Sequence, residues 1–125
     1  MPVRSLSSPV LKWPDAGTVD WAARTWAAEL AGRNDAVVRV GYFGSYARGD
    51  WGPGSNLDLL IVVRDSPEPP HRRALAFDAT DLPVPADVLV YTVREWQALE
   101  SPPPGRKSIA PEAVWVYRES PADGS

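Results

Sequence analysis

The run Leu57 to Val63, LDLLIVV, sets the tightest limit on how this chain can fold. Side chains of an extended strand point alternately to its two faces, and here both faces are aliphatic. Such a strand must be covered above and below, which places it at the centre of a sheet with layers on both sides. Asp58 is its one polar residue. The chain has 125 residues, of which 44% are apolar and 23% charged, enough for one compact domain with a genuine core.

The rest of the chain supplies elements to build around that strand. From Thr18 to Arg33 the apolar positions Val19, Ala22, Ala23, Trp26, Ala27 and Leu30 recur at helical spacing, with Thr18 as the expected N-cap and Gly32 near the stop. Ala36 to Phe43 is β-branched and aromatic and ends in Gly44-Ser45, which predicts a strand followed by a tight turn. Arg72 to Phe77 is expected to form a short helix, Pro85 to Thr92 a third strand and Ala113 to Tyr117 a fourth. Val93 to Glu100 is predicted helical, with Thr92 and Glu95 spaced as a capping box. The fourteen prolines cluster in the connections. The expected class is α+β (mixed α/β): a small mixed sheet of about four strands with helices packed on it. The expected domain spans residues 16–118, between an N-terminal tail at 1–15 and a C-terminal tail at 119–125.

Several chemistries are excluded by composition. There is no cysteine, so disulfides, thiolate metal sites and cysteine nucleophiles are ruled out. A single histidine, His71, cannot build an imidazole-rich metal site. The net charge is -3, and the only basic doublets are Arg72-Arg73 and Arg106-Lys107, so no footprint for duplex nucleic acid is expected. No apolar run reaches the roughly 18 residues of a membrane span, and a cytoplasmic protein is expected. Any hard cation would need oxygen ligands.

One stretch carries chemistry. Gly44-Ser45 places a residue without Cβ, a hydroxyl and free amides at a strand end, a combination suited to phosphate oxygens. Asn56 and Asp58 lie two apart at the start of the central strand and should share one face, while Leu57 and Leu59 pack on the other. Asp87, on another strand, is expected to join them. Oxygen-bearing side chains facing a phosphate-binding turn form a layout for Mg²⁺ held between the protein and a nucleoside triphosphate.

These residues, Gly44-Ser45-x10-Asn56-Leu57-Asp58 with Ala86-Asp87-Val88 further on, resemble the minimal nucleotidyltransferases of the DNA polymerase β superfamily, whose signature is Gly-Ser-x10-Asp-x-Asp. The likeness continues through GSYARGDWGPGSNLDLLIV, where Ala47-Arg48-Gly49 and Ser55 stand at positions commonly so occupied, and covers roughly Val19 to Arg118. The resemblance implies a nucleotidyltransferase fold and a two-metal Mg²⁺ site. It implies transfer of a nucleoside monophosphate, AMP from ATP foremost, to a hydroxyl acceptor. It casts Asp58, Asp87 and Asn56 as catalytic and metal-binding residues, and Gly44, Ser45, Arg48 and Ser55 as nucleotide-binding residues. Small members of the family often resemble the antitoxin half of a two-component pair, which implies a helical partner of the HEPN type as acceptor.

The departure is Asn56, where the family has its first metal-bridging aspartate. An amide carbonyl carries no charge and lacks the second oxygen with which a carboxylate bridges two ions. Three accounts stay open on the sequence: a slow or one-metal enzyme, a nucleotide-binding chain without turnover, and an aspartate-to-asparagine change introduced to trap substrate. The alternative function is accordingly a catalytically impaired nucleotide-binding or partner-binding module, such as an antitoxin.

Overall fold

The structure, a computed structural model, describes residues 14–101, 104–105 and 113–119. Most of the expected N-terminal tail, the Arg106-Lys107 doublet and all but Glu119 of the C-terminal tail lie outside the described residues.

In chain order the elements are helix α1 (Ala16–Arg33), strand β1 (Val37–Phe43), the single turn α2 (Ser45–Arg48) and strand β2 (Leu57–Val63). Then come α3 (Pro70–Arg73), which runs into a 3-10 turn (Ala74–Ala76), strand β3 (Ala86–Thr92), helix α4 (Val93–Glu100) and strand β4 (Val114–Arg118). The strands form one sheet in the order β3-β2-β1-β4. β1 pairs antiparallel with β2 and with β4, whereas β2 and β3 run parallel. The sheet is therefore mixed, and β2 is interior, as its two-sided apolar character requires.

Helix α1 covers one face. Val19, Ala23, Trp26 and Leu30 pack against Val40, Leu59 and Ile61 to form the main core. The N-cap is Asp15, not Thr18: the Asp15 carboxylate accepts the Thr18 amide at 2.8 Å. Apolar periodicity begins only at Val19, so the first turn, Ala16-Gly17-Thr18, leaves no mark in the hydrophobic pattern, and a carboxylate at the helix start is favoured by the dipole. On the other face Leu60 and Val62 bury against Trp96 of α4, flanked by Phe43, Tyr91 and Trp115. Trp96 meets Trp115 edge-on at 5.5 Å, and its indole N–H is buried without a hydrogen-bond partner.

The C-terminal ends of the parallel pair are tied down by charge. Arg73 is only 8% exposed, and its guanidinium donates to Glu68 O at 2.8 Å, to Val90 O at 3.3 Å and to both oxygens of Glu95. Glu95 also closes the expected capping box: its carboxylate accepts from the Thr92 amide at 2.9 Å, and the Thr92 hydroxyl accepts from the Glu95 amide at 3.2 Å. No helix among the described residues is long and apolar enough to cross a membrane.

Candidate active site

The site forms at the opposite end of the same two strands. β1 runs antiparallel to β2, so its last residue, Phe43, pairs with Asp58 near the beginning of β2. β3 runs parallel to β2, which sets Asp87 directly beside Asp58 in register. One end of the sheet thus gathers the exit of β1 and the starts of β2 and β3. Asp58 alternates with Leu57 and Leu59, which are fully buried on the α1 side, so its carboxylate lies on the opposite face. Asn56 and Asp58 share that end, as expected from their spacing, and the parallel register of β3 brings Asp87 to it.

The chain leaves β1 through Gly44 at φ +82° and ψ -149°, a conformation that residues with a Cβ rarely adopt. Glycine is required here for a second reason, because a Cβ on Gly44 would collide with the Asp58 carboxylate. The Gly-Ser turn therefore lies directly against the central acid. Ser45 opens the α2 turn, and the Gly44 carbonyl accepts the amides of Ala47 and Arg48 at 3.0 and 2.9 Å.

Asn56 is exposed and donates from Nδ2 to Asp87 Oδ2 at 3.3 Å. An ionised carboxylate only accepts, so the amide nitrogen must be the atom that faces it. Asp58 is half-buried, and that burial pushes its carboxyl above the usual range; the neighbouring Asp87 charge pushes the same way and Arg48 opposes both. Arg48 donates from Nε to Asp50 at 3.2 Å on the exposed side of α2. Ser55, expected at the nucleotide, has its hydroxyl engaged within its own loop, where it accepts the Gly52 amide at 2.8 Å. Gly44, Asn56, Asp58 and Asp87 are brought together, Arg48 lies within electrostatic reach, and Ser55 closes the neighbouring turn.

Two adjacent carboxylates, one held above its usual range partly by the other's charge, are oxygen donors whose repulsion a hard divalent cation would relieve, so Mg²⁺ fits beside Asp58 and Asp87. Among the described residues no group of three or more His, Asp or Glu is arranged around a metal position. A cavity of about 620 Å³ between the Phe77–Pro85 segment and β3 is lined by Ala86 and Val88, which alternate with Asp87 and so open on the other face. The carboxylate end is thus separate from it. Trp51, in the loop before β2, stacks on buried Tyr46 at 5.5 Å and packs on the α1-side core rather than on the carboxylates.

Three comparisons bear on this geometry. A curated relative from Methanocaldococcus jannaschii, named as a proposed protein adenylyltransferase, is 36% identical over 56 residues, 45% of this chain and 57% of the relative. The chain thus matches little more than half the length of that relative. The crystal structure of a proposed nucleotidyltransferase from Sulfolobus solfataricus superposes with a TM-score of 0.62 over 82% of this chain and 83% of that one, at 19% identity, and supports the fold. A toxin-antitoxin crystal structure with AMP-PNP aligns at a TM-score of 0.46 and 15% identity over 81% of this chain and 77% of that one. Residues 25–116 match the nucleotidyltransferase domain family, a span that contains Gly44, Asn56, Asp58 and Asp87, and the chain belongs to that family.

Proposed function

We propose that this protein binds a nucleoside triphosphate, ATP foremost, and transfers its nucleoside monophosphate to a hydroxyl group on a partner protein. The observation that carries this reading is the junction of Gly44 with Asp58 and Asp87: a turn that only glycine can make, pressed against one of two carboxylates held side by side. The name of the archaeal relative supports a protein as acceptor. The antitoxin-like members that the motif resembles support a helical protein of the HEPN type. A cytoplasmic location, where ATP is supplied, goes with this reading.

The roles follow from position. The backbone after Gly44 and the Ser45 hydroxyl donate to the phosphate oxygens, and Arg48 adds positive charge beside Asp58. Asp58 and Asp87 would hold Mg²⁺, which supplies neutralisation of charge on the phosphates and on the departing pyrophosphate. The acceptor hydroxyl oxygen attacks the α-phosphorus, the bond from that phosphorus to the bridging oxygen of pyrophosphate breaks, and the hydroxyl proton passes to Asp87.

A second reading is favoured by the contact of Asn56 with Asp87. With an amide where a third carboxylate would stand, the site binds the triphosphate and does not turn it over, and the protein acts by binding its partner. Calorimetry of ATP with Mg²⁺, followed by pyrophosphate release with a candidate partner, separates the two. Release by the natural chain that is lost in Asp58→Ala is expected for a transferase. Binding without release, with turnover gained in Asn56→Asp, establishes the second reading, and absence of triphosphate binding in either chain overturns both.

A further inference from the structure

Strand β3 forms one edge of the sheet. The Pro85 carbonyl accepts the Leu57 amide at 2.8 Å, so by alternation Asp87, Leu89 and Tyr91 turn their backbone groups toward β2, and Ala86, Val88 and Val90 turn theirs outward. The outward Val90 carbonyl is capped by the buried Arg73 guanidinium at 3.3 Å. Among the described residues nothing bonds the outward backbone groups of Ala86 and Val88. The open stretch of the edge therefore brackets Asp87. Two cavities border it: the one of about 620 Å³ lined by Ala86 and Val88, and one of about 330 Å³ lined by His71, Ala74 and the strand from Val88 to Tyr91. On the face that carries the Asp87 carboxylate, the next side chain along β3 is Leu89, 42% exposed.

We infer that the acceptor docks on this open edge, as an extended segment of the partner protein that adds a strand to β3 and sets a hydroxyl residue opposite Asp87. The identity of that segment as acceptor rests on the transfer reading. An added strand bonds to the outward amides and carbonyls of Ala86 and Val88. When it runs antiparallel, the residue facing Asp87 has its Cβ roughly 4.5–5.5 Å from that of the acid. From there the hydroxyl oxygen attacks the α-phosphorus as pyrophosphate leaves, and its proton passes to Asp87. The residue two places along meets Leu89, and the side chains between turn to the cavity on the other face. The segment recognised is thus a hydroxyl residue with an apolar residue two places away. A second copy of this chain does not suit the edge: pairing Ala86 and Val88 with their own two-fold image puts Asp87 opposite Asp87, and like charges so placed repel. A hydroxyl residue brings no such charge. By capping Val90, Arg73 confines the pairing to the stretch beside the acid.

The test reads backbone protection and does not depend on turnover. The probes are the peptides Lys-Leu-Val-Thr-Val-Leu-Lys and Lys-Leu-Val-Tyr-Val-Leu-Lys, whose order is the same in both directions and so allows either strand polarity. Amide hydrogen exchange of the full chain is followed residue by residue by nuclear magnetic resonance, with and without Mg²⁺ and AMP-PNP. Either peptide is expected to slow the Ala86 and Val88 amides about tenfold or more and to leave those of Asp87 and Leu89, already bonded to β2, unchanged. Val88→Pro removes one outward amide without touching the ladder to β2, and should weaken peptide binding about five- to tenfold while ATP binding stays the same. Ala86→Pro takes its place if that variant fails to fold. Amides unchanged by both peptides, slowing without the alternation, or undiminished peptide binding by the proline variant overturns the inference. So does slowing that grows with protein concentration in the absence of peptide, which assigns the edge to a second copy. Alternating protection with no AMP-PNP binding supports the docking edge and overturns the nucleotide reading, whereas AMP-PNP binding without protection does the reverse.

Discussion

The two ends of the parallel pair β2 and β3 are built from the same strands and treat charge in opposite ways. At the C-terminal ends Arg73 pairs with Glu95, Arg64, just past β2, with Glu119, and Glu95 also accepts the Thr92 amide. At the N-terminal ends, two carboxylates stand side by side, the Asn56 amide against one and the Gly44 turn against the other. The first end is arranged for stability. The second keeps like charges together, an arrangement that costs stability and gives a cation or phosphate something to bind. In open parallel sheets ligands favour the C-terminal ends of the strands; here the antiparallel strand β1 delivers the Gly-Ser turn to the other end and moves the site with it.

The contrast can be broken most strongly at Gly44. Gly44→Val forces a β-branched residue to a positive φ and drives its side chain into Asp58, and should cost about 3 kcal/mol in denaturant unfolding. A loss below about 1 kcal/mol would mean that the turn can relax away from the acid. Next is Arg73→Met, which strips a buried donor from the Val90 and Glu68 carbonyls and from Glu95. Glu95 is 39% exposed, so its share is screened, and the expected loss is about 2 kcal/mol by the same measurement. Thr92→Ala removes one half of the capping box and should cost about 1 kcal/mol.

The smallest effects distinguish the two ends by sign. Glu95 is held below its ordinary value first by Arg73 and then by the Thr92 amide. Its stabilisation is present above pH 4.5 and is lost as the pH falls through its folded-state value. Asp58 is held above its ordinary value by burial first and by Asp87 second. Its contribution is present below pH 3.8 and is lost as the pH rises through its folded-state value. Asp58→Asn should therefore raise the neutral-pH melting temperature by about 1–2 °C, whereas Arg73→Met should flatten the acid limb of the stability profile. A lowered melting temperature in Asp58→Asn would show that the carboxylate is stabilised by its surroundings, and the contrast between the ends would be gone.

Much of this architecture was legible in local pattern. β2 begins at Leu57 and ends at Val63 as its apolar run does, and α4 carries both halves of the capping box that Thr92 and Glu95 announce. Both signals are short-range: alternation over one strand, and side chains reaching three residues along the chain. Trp21, which falls off the main apolar stripe of α1, is 69% exposed. The start of α1 was less legible, since the Asp15 cap precedes any apolar periodicity. Ser55 matches a family position, and its hydroxyl oxygen also accepts the Gly52 amide, a loop contact that a spacing of three residues allows.

Sequence alone determined which residues could carry chemistry: the Gly-Ser turn, the Asn-x-Asp at the head of a two-sided apolar strand, and an acid on a later strand. Spacing by two along an extended chain settles the shared face of Asn56 and Asp58 without any tertiary contact. Only the tertiary structure decided that Asp87 lies in register with Asp58, that Gly44 closes on that acid, and that Arg73, half of a basic doublet, is a buried staple. It also decided that Asn56 turns its nitrogen to Asp87. Each of these joins residues from different strands, and strand order and direction follow from how the whole sheet buries its two faces, not from any one segment.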